Sequence, residues 1–498
     1  MLKELELNIK VRNTLIFIKT IEEFRLMKDL EKLSGRLNYQ FKEWNFGDDQ
    51  KPLEFLKKIN KDQNPTLYIM RDLNLFFKED GVGLRLMSTL KNLKNILKNQ
   101  KKIIIVISSI RKIHESIKKD FLILDDPLPN YDNIKKAIDD FLQRNNLEQN
   151  LSESLKDRII LSSLGLTIDQ VNKIFAKTIQ KNKKLDEKCL NQIIAEKKLV
   201  IGQNNVLDFY DVSETINNVG GLNQLKNWLK IRSKAFSQNA KDYGLPQPKG
   251  LLMLGVQGTG KSLTAKAVSS LWRLPLLKLD IGRVFGSLVG ESESRIREAI
   301  KIAETISPCI LWIDEIDKAF AGMGGQQGDS GTSARVFGTL ITWMQEKTKP
   351  VFIVATANDI SKLPAEMLRK GRFDEIFFVD IPNEYEREEI FKIHIEKTQR
   401  DIQLFDLISL VEKSKEFTGA EIEQAIKDAM YIAFADSERE FTTDDILVSL
   451  QNTVPLSQMK KEQITELRNW AKESARMASY EDIKKSIKPT ILDNEIIY

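Results

Sequence analysis

Short apolar runs alternate with longer amphipathic stretches in the first part of the chain. Residues 14–18, 66–70 and 102–107 are compact apolar runs, and residues 39–44 alternate apolar and polar side chains, as expected for β-strands. Residues 84–97 place apolar side chains three and four positions apart, which is the spacing of an amphipathic helix. Strands that alternate with helices predict a doubly wound parallel sheet.

The pattern then becomes helical before the alternation restarts. Pro127 and Pro129 end the first set of strands, and the sequence is helical and polar from Tyr131 to about Leu199. From Val219 strands and helices alternate again. The strands predicted there are residues 251–254, 276–279, 310–313 and 351–355. One predicted helix begins at Lys261, and another covers residues 293–303.

The remainder of the second half is predicted to be helical. The helical pattern runs from Pro382 to about Leu450, and residues 457–478 predict one last helix. Each half therefore has a sheet block followed by a helical block, which suggests a duplicated module.

Composition and charge narrow the classes of function. The chain has 498 residues, which predicts about three domains. Its 76 Lys and Arg against 71 Asp and Glu leave a net charge of +5, which describes a mixed surface and does not indicate a nucleic-acid partner. Because no apolar run approaches the roughly 20 residues that cross a bilayer, no membrane partner is expected.

Cysteine and histidine are scarce, which excludes chemistry that needs several of them. Cys189 and Cys309 are too few for a disulfide framework or a cysteine-rich zinc site, and they suit a reducing compartment. His114 precedes a glutamate, but the residue four positions after it is a lysine, so the helix of a zinc protease is absent.

A glycine-rich sequence follows the first strand of the second half. It is Gly255-Val256-Gln257-Gly258-Thr259-Gly260-Lys261-Ser262, which fits the pattern of a phosphate-binding loop between a strand and a helix. Glycines let successive backbone N–H groups point at phosphate oxygens, and the helix N-terminus adds partial positive charge. In this pattern Lys261 reaches the β- and γ-phosphates, and Ser262 binds Mg²⁺.

Two carboxylates follow a second apolar strand further along the chain. Residues 309–313 are apolar, and Asp314 and Glu315 come directly after them. A buried strand delivers such a pair to the carboxyl edge of the sheet, where ligands bind in open α/β folds. We expect Asp314 to bind Mg²⁺ and Glu315 to polarise the attacking water.

With these motifs, residues 211–450 resemble the AAA module of the AAA+ ATPases. Four further segments are similar to motifs of that family: Val219-Gly220-Gly221-Leu222, Pro248-Lys249-Gly250-Leu251-Leu252, Thr356-Ala357-Asn358 and Leu368-Arg369-Lys370-Gly371-Arg372-Phe373-Asp374. The resemblance implies that the chain binds ATP with Mg²⁺. It also implies that the first of these segments lies beside the adenine and that the second leads into the phosphate loop.

The same resemblance implies roles for individual residues. Asn358 would position water against the γ-phosphate, and Arg369 and Arg372 would act as arginine fingers on the nucleotide of a neighbouring subunit. Such sharing implies a homo-oligomer, most often a hexameric ring in this family. The residues implied to lie near the nucleotide, besides the phosphate loop, are Gly220, Leu263, His394, Gly419 and Ala420.

Some positions depart from the family's pattern. Val256 and Gln257 stand where the family usually has two prolines, which loosens the loop without removing a phosphate donor. Leu288 and Val289 stand where many members present an aromatic residue to a threaded polypeptide, which puts polypeptide threading in doubt.

The N-terminal half has no phosphate loop and admits two interpretations. Residues 66–72 form a predicted strand that ends in a single acid, Asp72, and residues 102–109 lie where a sensor strand could lie. This half is either an AAA-like module that has lost its nucleotide chemistry or an unrelated α/β domain.

The whole layout resembles the AAA-domain proteins encoded in algal plastid and cyanobacterial genomes. The predicted fold is α/β, with a three-layer AAA core that has a parallel sheet and a helical lid, preceded by a second α/β domain. The predicted domains are an N-terminal α/β domain without a phosphate loop (1–130), a helical subdomain (131–205), the nucleotide-binding core (206–385), the lid (386–455), and a C-terminal helix and tail (456–498).

Two functions of different classes fit these motifs. One is an ATPase that couples hydrolysis to the remodelling of an unidentified protein partner. The other is an ATP-dependent binding or scaffold module with little or no hydrolysis. Glu315, Arg369 and Arg372 favour the ATPase, because a pure binding module needs none of them.

The composition also bears on where the protein works. The chain is rich in lysine, isoleucine and asparagine, as are proteins of AT-rich genomes such as those of plastids. This favours the plastid stroma, with the cytoplasm as the alternative.

Overall fold

The computed structural model describes residues 1–45, 47, 51–145, 151–182, 185–201, 206–210, 215–285, 291–320, 330–369 and 371–480. These residues fall into two units. The first lies within residues 1–150 and 163–184, and the second lies within residues 151–162 and 185–498.

Strands and helices alternate through the first unit. They are α1 (Leu2–Lys10), β1 (Leu15–Lys19), α2 (Glu23–Arg36), β2 (Gln40–Trp44), α3 (Pro52–Lys61), β3 (Thr66–Arg71), α4 (Gly81–Asn99), β4 (Lys102–Ser108), α5 (Glu115–Lys118), β5 (Leu122–Asp125) and α6 (Tyr131–Arg144). Two further helices follow in the chain, α7 (Glu153–Ser163), which belongs mostly to the second unit, and α8 (Ile168–Asn182), which belongs to the first.

The first sheet is parallel and is covered on both faces. Within the described residues its order is β2-β3-β4-β1-β5. All of β4 is buried, and alternate side chains of this strand point to opposite faces. Ile103 and Ile105 pack on the face of α1 and α2, whereas Ile104 and Val106 pack on the face of α3 and α4. This burial on both faces explains why the strand is a continuous apolar run in the sequence.

The second unit contains a larger sheet and a separate helical group. Its elements before the lid are α9 (Lys188–Ile201), β6 (Leu207–Tyr210), α10 (Asn223–Arg232), α11 (Gln238–Asp242), β7 (Gly250–Gly255), α12 (Lys261–Trp272), β8 (Leu276–Leu279), α13 (Ile281–Phe285), α14 (Glu291–Ile306), β9 (Cys309–Ile313), α15 (Ile316–Phe320), α16 (Ser330–Glu346), β10 (Val351–Ala357) and β11 (Glu375–Val379). The later elements are α17 (Glu384–Lys397), α18 (Leu407–Lys413), α19 (Gly419–Ala435), α20 (Thr443–Gln451), α21 (Leu456–Met459), α22 (Lys461–Ser474) and β12 (Arg476–Met477).

The second sheet has the order β12-β11-β7-β10-β9-β8-β6 within the described residues. All of its pairs are parallel except β6 with β8, which is antiparallel. Read from the other end, the central run is β8-β9-β10-β7-β11. If β7 to β11 are counted as the first to the fifth strand, this is the same order as β2-β3-β4-β1-β5 of the first sheet. The predicted α/β fold with parallel sheets and a second, N-terminal α/β domain is confirmed.

The lid has an apolar core of its own, formed by α17 to α20. Phe391, Ile395, Phe417 and Ile426 are buried together in it. Such a core lets the lid keep its shape while it is linked to the sheet through the segment between β11 and α17.

Across the described ranges, the helices are too short or too polar to pass through a bilayer.

The predicted helix over residues 457–478 is wrong at its C-terminal end. The chain forms the short α21 and then α22, which ends at Ser474. Ala475 is extended (φ −134°, ψ 158°), and the following residues form β12 beside β11. The amide of Ala478 donates a 2.9 Å hydrogen bond to the carbonyl of Phe378. An unpaired sheet edge therefore determines the conformation of this segment, and helical periodicity gives no sign of such an edge.

Candidate functional site

The glycine-rich segment forms a loop between β7 and α12, as its sequence predicts. Gly258 has a φ of +81°, which favours glycine, and a Cβ there would lie 2.9 Å from the Thr418 hydroxyl oxygen. Thr259 donates its hydroxyl to the carbonyl of Val256 at 2.8 Å, whereas Gln257 is exposed. The loop ends at Gly260, the N-cap of α12, so the positive end of that helix faces the loop.

Lys261 lies inside this loop with only 6% of its surface exposed. Its Nζ donates hydrogen bonds of 2.8 Å and 2.7 Å to the carbonyls of Gly255 and Val256. Burial lowers the pKa of Lys261 to about 8, against the opposing influence of nearby carboxylates, chiefly those of Asp317 and Asp314. The amine is thus held against two backbone carbonyls of the loop.

Asp314 meets two hydroxyl groups from other elements. Ser262, in the first turn of α12, donates to Asp314 Oδ1 at 2.9 Å, and Thr356, on β10, donates to the same oxygen at 2.7 Å. Lys278 Nζ is 3.7 Å from Asp314 Oδ2. A hydroxyl beside a carboxylate at a helix N-terminus supplies the oxygen donors that Mg²⁺ prefers, so these residues fit such an ion. The contacts of Thr356 and Lys278 with Asp314 could not be predicted from the sequence, because their partner follows a different strand.

Glu315 is held in place by backbone and side-chain contacts. Its φ of +48° is unusual for a residue other than glycine, and its N–H donates to the Thr356 hydroxyl at 2.9 Å. Its Oε1 accepts a 3.3 Å hydrogen bond from Asn358 Nδ2, and its Oε2 is 2.5 Å from Lys318 Nζ. Glu315 and Asn358, both predicted from the sequence, are therefore adjacent at the carboxyl edge of the sheet.

The lid approaches the loop through main-chain atoms. The N–H of Ala420, in the first turn of α19, donates to the carbonyl of Gly258 at 3.0 Å. A Cβ at the preceding Gly419 would lie 3.5 Å from the same carbonyl oxygen and 3.6 Å from Ile390 Cδ1. Gly220 also packs against Ile390, since a Cβ there would lie 2.6 Å from Ile390 Cγ1. Gly220 and Gly419, both predicted to lie near the nucleotide, are thus close to the same side chain of α17.

Two other predicted residues lie on the helices that form this region. His394 is half-buried and follows Ile390 by one turn of α17, which puts both on the same face of the helix. Leu263 is half-buried in the first turn of α12 and packs against the apolar core of that side of the sheet.

The two arginines predicted to act as fingers lie between β10 and β11. Arg369 is exposed and Arg372 is half-buried. The Nε and Nη1 atoms of Arg372 are buried and find no hydrogen-bond partner among the described residues. In the described part of the chain, no hydrogen bond or ion pair joins either arginine to Lys261, Asp314 or Glu315 of the same chain. The predicted pore-loop positions Leu288 and Val289 lie outside the described residues.

The corresponding edge of the first sheet carries different chemistry. Ser108 at the end of β4 donates to Asp72 Oδ1 at 2.7 Å, and Asp72 has a φ of +55°, much as Glu315 has on the second sheet. After β1, however, Arg25 pairs with Glu22 at 2.6 Å and with Asp126 at 2.9 Å. A half-buried arginine and two buried carboxylates of the chain itself thus occupy the place where a phosphate loop follows the corresponding strand of the second sheet.

Comparisons with known proteins cover nearly the whole chain. Residues 251–381 match the ATPase family associated with various cellular activities (AAA). Residues 1–125 match the N-terminal domain of SpoVK-like AAA ATPases, and residues 132–204 match their second domain.

Full-length relatives come from algae. The AAA domain-containing protein ycf46 of Pyropia yezoensis is 47% identical over 495 residues, covering 96% of this chain and 99% of the relative. The ycf46 protein of Trieres chinensis is 44% identical, covering 94% and 96%. Such relatives are encoded in algal plastid genomes. The proteasome-activating nucleotidase of Sulfurisphaera tokodaii is 32% identical over 244 residues, covering 47% of this chain and 61% of the relative. With relatives that extend over almost its full length and an AAA match over the core that contains the loop and the acidic pair, the chain belongs to the AAA ATPase family.

Proposed function

We propose that this chain binds Mg²⁺-ATP between its α/β core and its lid, hydrolyses the γ-phosphate bond, and uses that cycle to remodel a protein partner. The observation that carries the proposal is the contact of Ser262 with Asp314, beside a buried Lys261 and a Glu315 held by Asn358. This set brings phosphate-binding, metal-binding and water-activating groups together at one edge of one sheet.

Binding divides between the loop and the lid. The backbone N–H groups of the loop and the N-terminus of α12 bind phosphate oxygens, and Lys261 adds a charged donor. Gly220, Gly419 and Ala420, with Leu263 and His394 nearby, line the side that receives the base. Ser262 and Asp314 would hold Mg²⁺, which when bound would neutralise negative charge on the phosphates.

Glu315 acts on the attacking water. Its carboxylate accepts a proton or a strong hydrogen bond from that water, and Asn358 fixes the orientation of the carboxylate through their 3.3 Å contact. The ion pair with Lys318 constrains the Glu315 carboxylate only weakly, because the Lys318 side chain is 68% exposed and its charge is screened by solvent.

Arg369 and Arg372 serve the pocket of a neighbouring copy. The described contacts leave the buried Nε and Nη1 of Arg372 without a partner, and neither arginine contacts the acidic pair of its own chain. Positive charge from a second subunit stabilises the charge that spreads over the transferred phosphoryl group. This sharing requires a closed homo-oligomer, and we propose a hexameric ring.

The first unit recognises the partner and binds no nucleotide. Its sheet edge is filled by the ion pairs of Arg25 with Glu22 and Asp126, so each chain carries one nucleotide. We propose a protein partner and a place in the plastid stroma, where relatives encoded in plastid genomes are made.

Two substitutions with matched controls test the proposal. Lys261→Ala should weaken ATP binding about a hundredfold, since a hydrogen bond to a charged group contributes about 1.5–3 kcal/mol. Lys266→Ala, on the same helix, should not. Glu315→Gln should keep ATP affinity and lower turnover by about 10²–10⁴-fold, whereas the exposed Glu366→Gln should leave it unchanged. Unchanged affinity in Lys261→Ala would contradict the proposal. Tight ATP binding with no turnover in the unaltered chain would instead support a binding or scaffold module.

A further inference from the structure

The C-terminal part of the second unit reaches the nucleotide side of the core through one carboxylate. We call residues 476–479 the C-terminal strap. Its first residues form β12 beside β11, and the N–H of Ala478 continues the pairing by donating to the carbonyl of Phe378 at 2.9 Å. The carbonyl of Ala478 accepts a 3.1 Å hydrogen bond from the N–H of Leu225, at the start of α10. The strap is therefore fixed on two sides by backbone hydrogen bonds.

The last residue of the strap, Ser479, contacts Glu386 in the first turn of α17. Glu386 is 8% exposed, and its Oε1 accepts hydrogen bonds from the Ser479 hydroxyl at 2.5 Å and from the Leu222 N–H at 3.0 Å. Its Oε2 accepts a third, from the N–H of Asn383, which caps the helix. A single buried carboxylate thus joins the strap, the lid and the loop over residues 219–222.

The loop over residues 219–222 leaves no room around this carboxylate. Gly221 has a φ of +68°, and a Cβ there would lie 2.3 Å from Glu386 Oε1. The N–H of Gly221 donates to Glu389 at 2.7 Å, so two neighbouring amides of the loop are bound by two glutamates of one helix. Moving Glu386 would therefore move the loop that contains Gly220.

The same helix carries the residues that line the proposed base pocket. Ile390 follows Glu386 by four residues and His394 follows Ile390 by four, so the three share a face of α17. Ile390 is the side chain that packs against Gly220 and lies near Gly419. The position of Glu386 thus determines where the walls of the pocket lie relative to the strap.

We propose that Glu386 is a positioning residue of the nucleotide pocket, through which the C-terminal strap and a bound nucleotide stabilise each other. This inference rests on the proposed binding of nucleotide by the core. Because coupling between two sites is reciprocal, nucleotide should order the strap by the same factor by which an ordered strap raises nucleotide affinity.

Hydrogen exchange on the full-length chain tests the first direction. With saturating Mg²⁺-ADP, exchange should slow in peptides that cover residues 255–262 and, by about fivefold or more, in the peptide that covers residues 476–480. Protection of the phosphate loop without protection of the strap would overturn the inference and leave the proposed nucleotide binding intact. Absence of Mg²⁺-ADP binding altogether would refute both.

A double-mutant cycle tests the second direction. Ser479→Ala should weaken Mg²⁺-ADP binding about fivefold, whereas Ser474→Ala on the exposed surface of α22 should not. Glu386→Gln should weaken it as well, and Glu388→Gln, which alters a carboxylate paired with Lys392 on the same helix, should not. If the two residues act through one contact, the double variant should lose little more than either single variant. Fully additive losses, or unchanged affinity in Ser479→Ala, would overturn the inference.

Discussion

The hydroxyl of Ser262 donates a 2.9 Å hydrogen bond to Asp314 Oδ1, which joins two residues 52 positions apart in the chain. One begins the helix after the phosphate loop and the other follows a buried strand. Thr356 donates to the same oxygen from the adjacent strand β10. Three elements of the core therefore meet at one carboxylate, where the parallel strands end.

This contact predicts how the chain depends on magnesium. Ser262→Ala removes one ligand and leaves the phosphate donors in place, so the Mg²⁺ concentration for half-maximal ATP turnover should rise by about tenfold or more. A magnesium titration of steady-state phosphate release measures the shift. Ser270→Ala, later in the same helix, is the matched control. An unchanged magnesium requirement in Ser262→Ala would remove this residue from the metal site.

The position of Arg372 predicts complementation between two inactive variants. Arg372→Ala should lower turnover by about 10³-fold or more with little change in ATP affinity, because it removes charge from the pocket of a neighbour. Lys261→Ala keeps the arginine and loses its own pocket. When the two variants are assembled together, turnover should exceed that of either alone.

The mixture needs a control that leaves the shared pocket intact. Arg297→Ala alters an exposed arginine that pairs with Glu293 on α14, and it should be as active as the unaltered chain. Turnover of the mixture equal to the average of its two components would show that the pocket is not shared in this way.

Lys197 on α9 predicts a pH dependence of stability. The side chain is 1% exposed, its Nζ donates to the carbonyl of Ile306 at 2.9 Å, and burial lowers its pKa to about 7 from 10.5. Between these two values the unfolded chain binds more protons than the folded chain, so this group makes folding more favourable as the pH rises. At pH values below the folded pKa its contribution no longer changes.

Replacing Lys197 by methionine should remove that dependence. Between pH 7 and pH 10 the unaltered chain should gain on the order of 3 kcal/mol in unfolding free energy relative to Lys197→Met. Urea denaturation followed by tryptophan fluorescence at several pH values measures the difference. Lys198→Met, at the exposed neighbouring position, should keep the slope of the unaltered chain. Parallel pH profiles for Lys197→Met and the unaltered chain would show that Lys197 keeps its charge when folded.

Much of the nucleotide-binding core could be predicted because its information is local. The phosphate loop is a continuous segment, and the run before Asp314 indicates a strand by itself. The topology then brings the two together, since parallel strands end at one edge of the sheet. The helical character of the lid was also predictable, and α17 to α20 all lie within the stretch from Pro382 to about Leu450 that the sequence predicts to be helical.

Contacts that depend on distant partners could not be predicted in this way. Nothing around Glu386 indicates that its carboxylate binds Leu222 and Ser479, which lie far apart in the sequence. The strand β6 escaped prediction because residues 207–210 are short and pair antiparallel at a sheet edge. Helical periodicity wrongly predicts helix at β12 for a related reason, since this segment is extended because it pairs with the free edge of β11.

The hydrogen bond from the Ala420 amide to the Gly258 carbonyl uses no side-chain atom. A change of side chain at position 420 therefore leaves this link intact, and only proline, which has no amide hydrogen, would abolish it. Any demand on the identity of residue 420 must then come from what its side chain touches, because the join between the loop and the lid is written into the main chain alone.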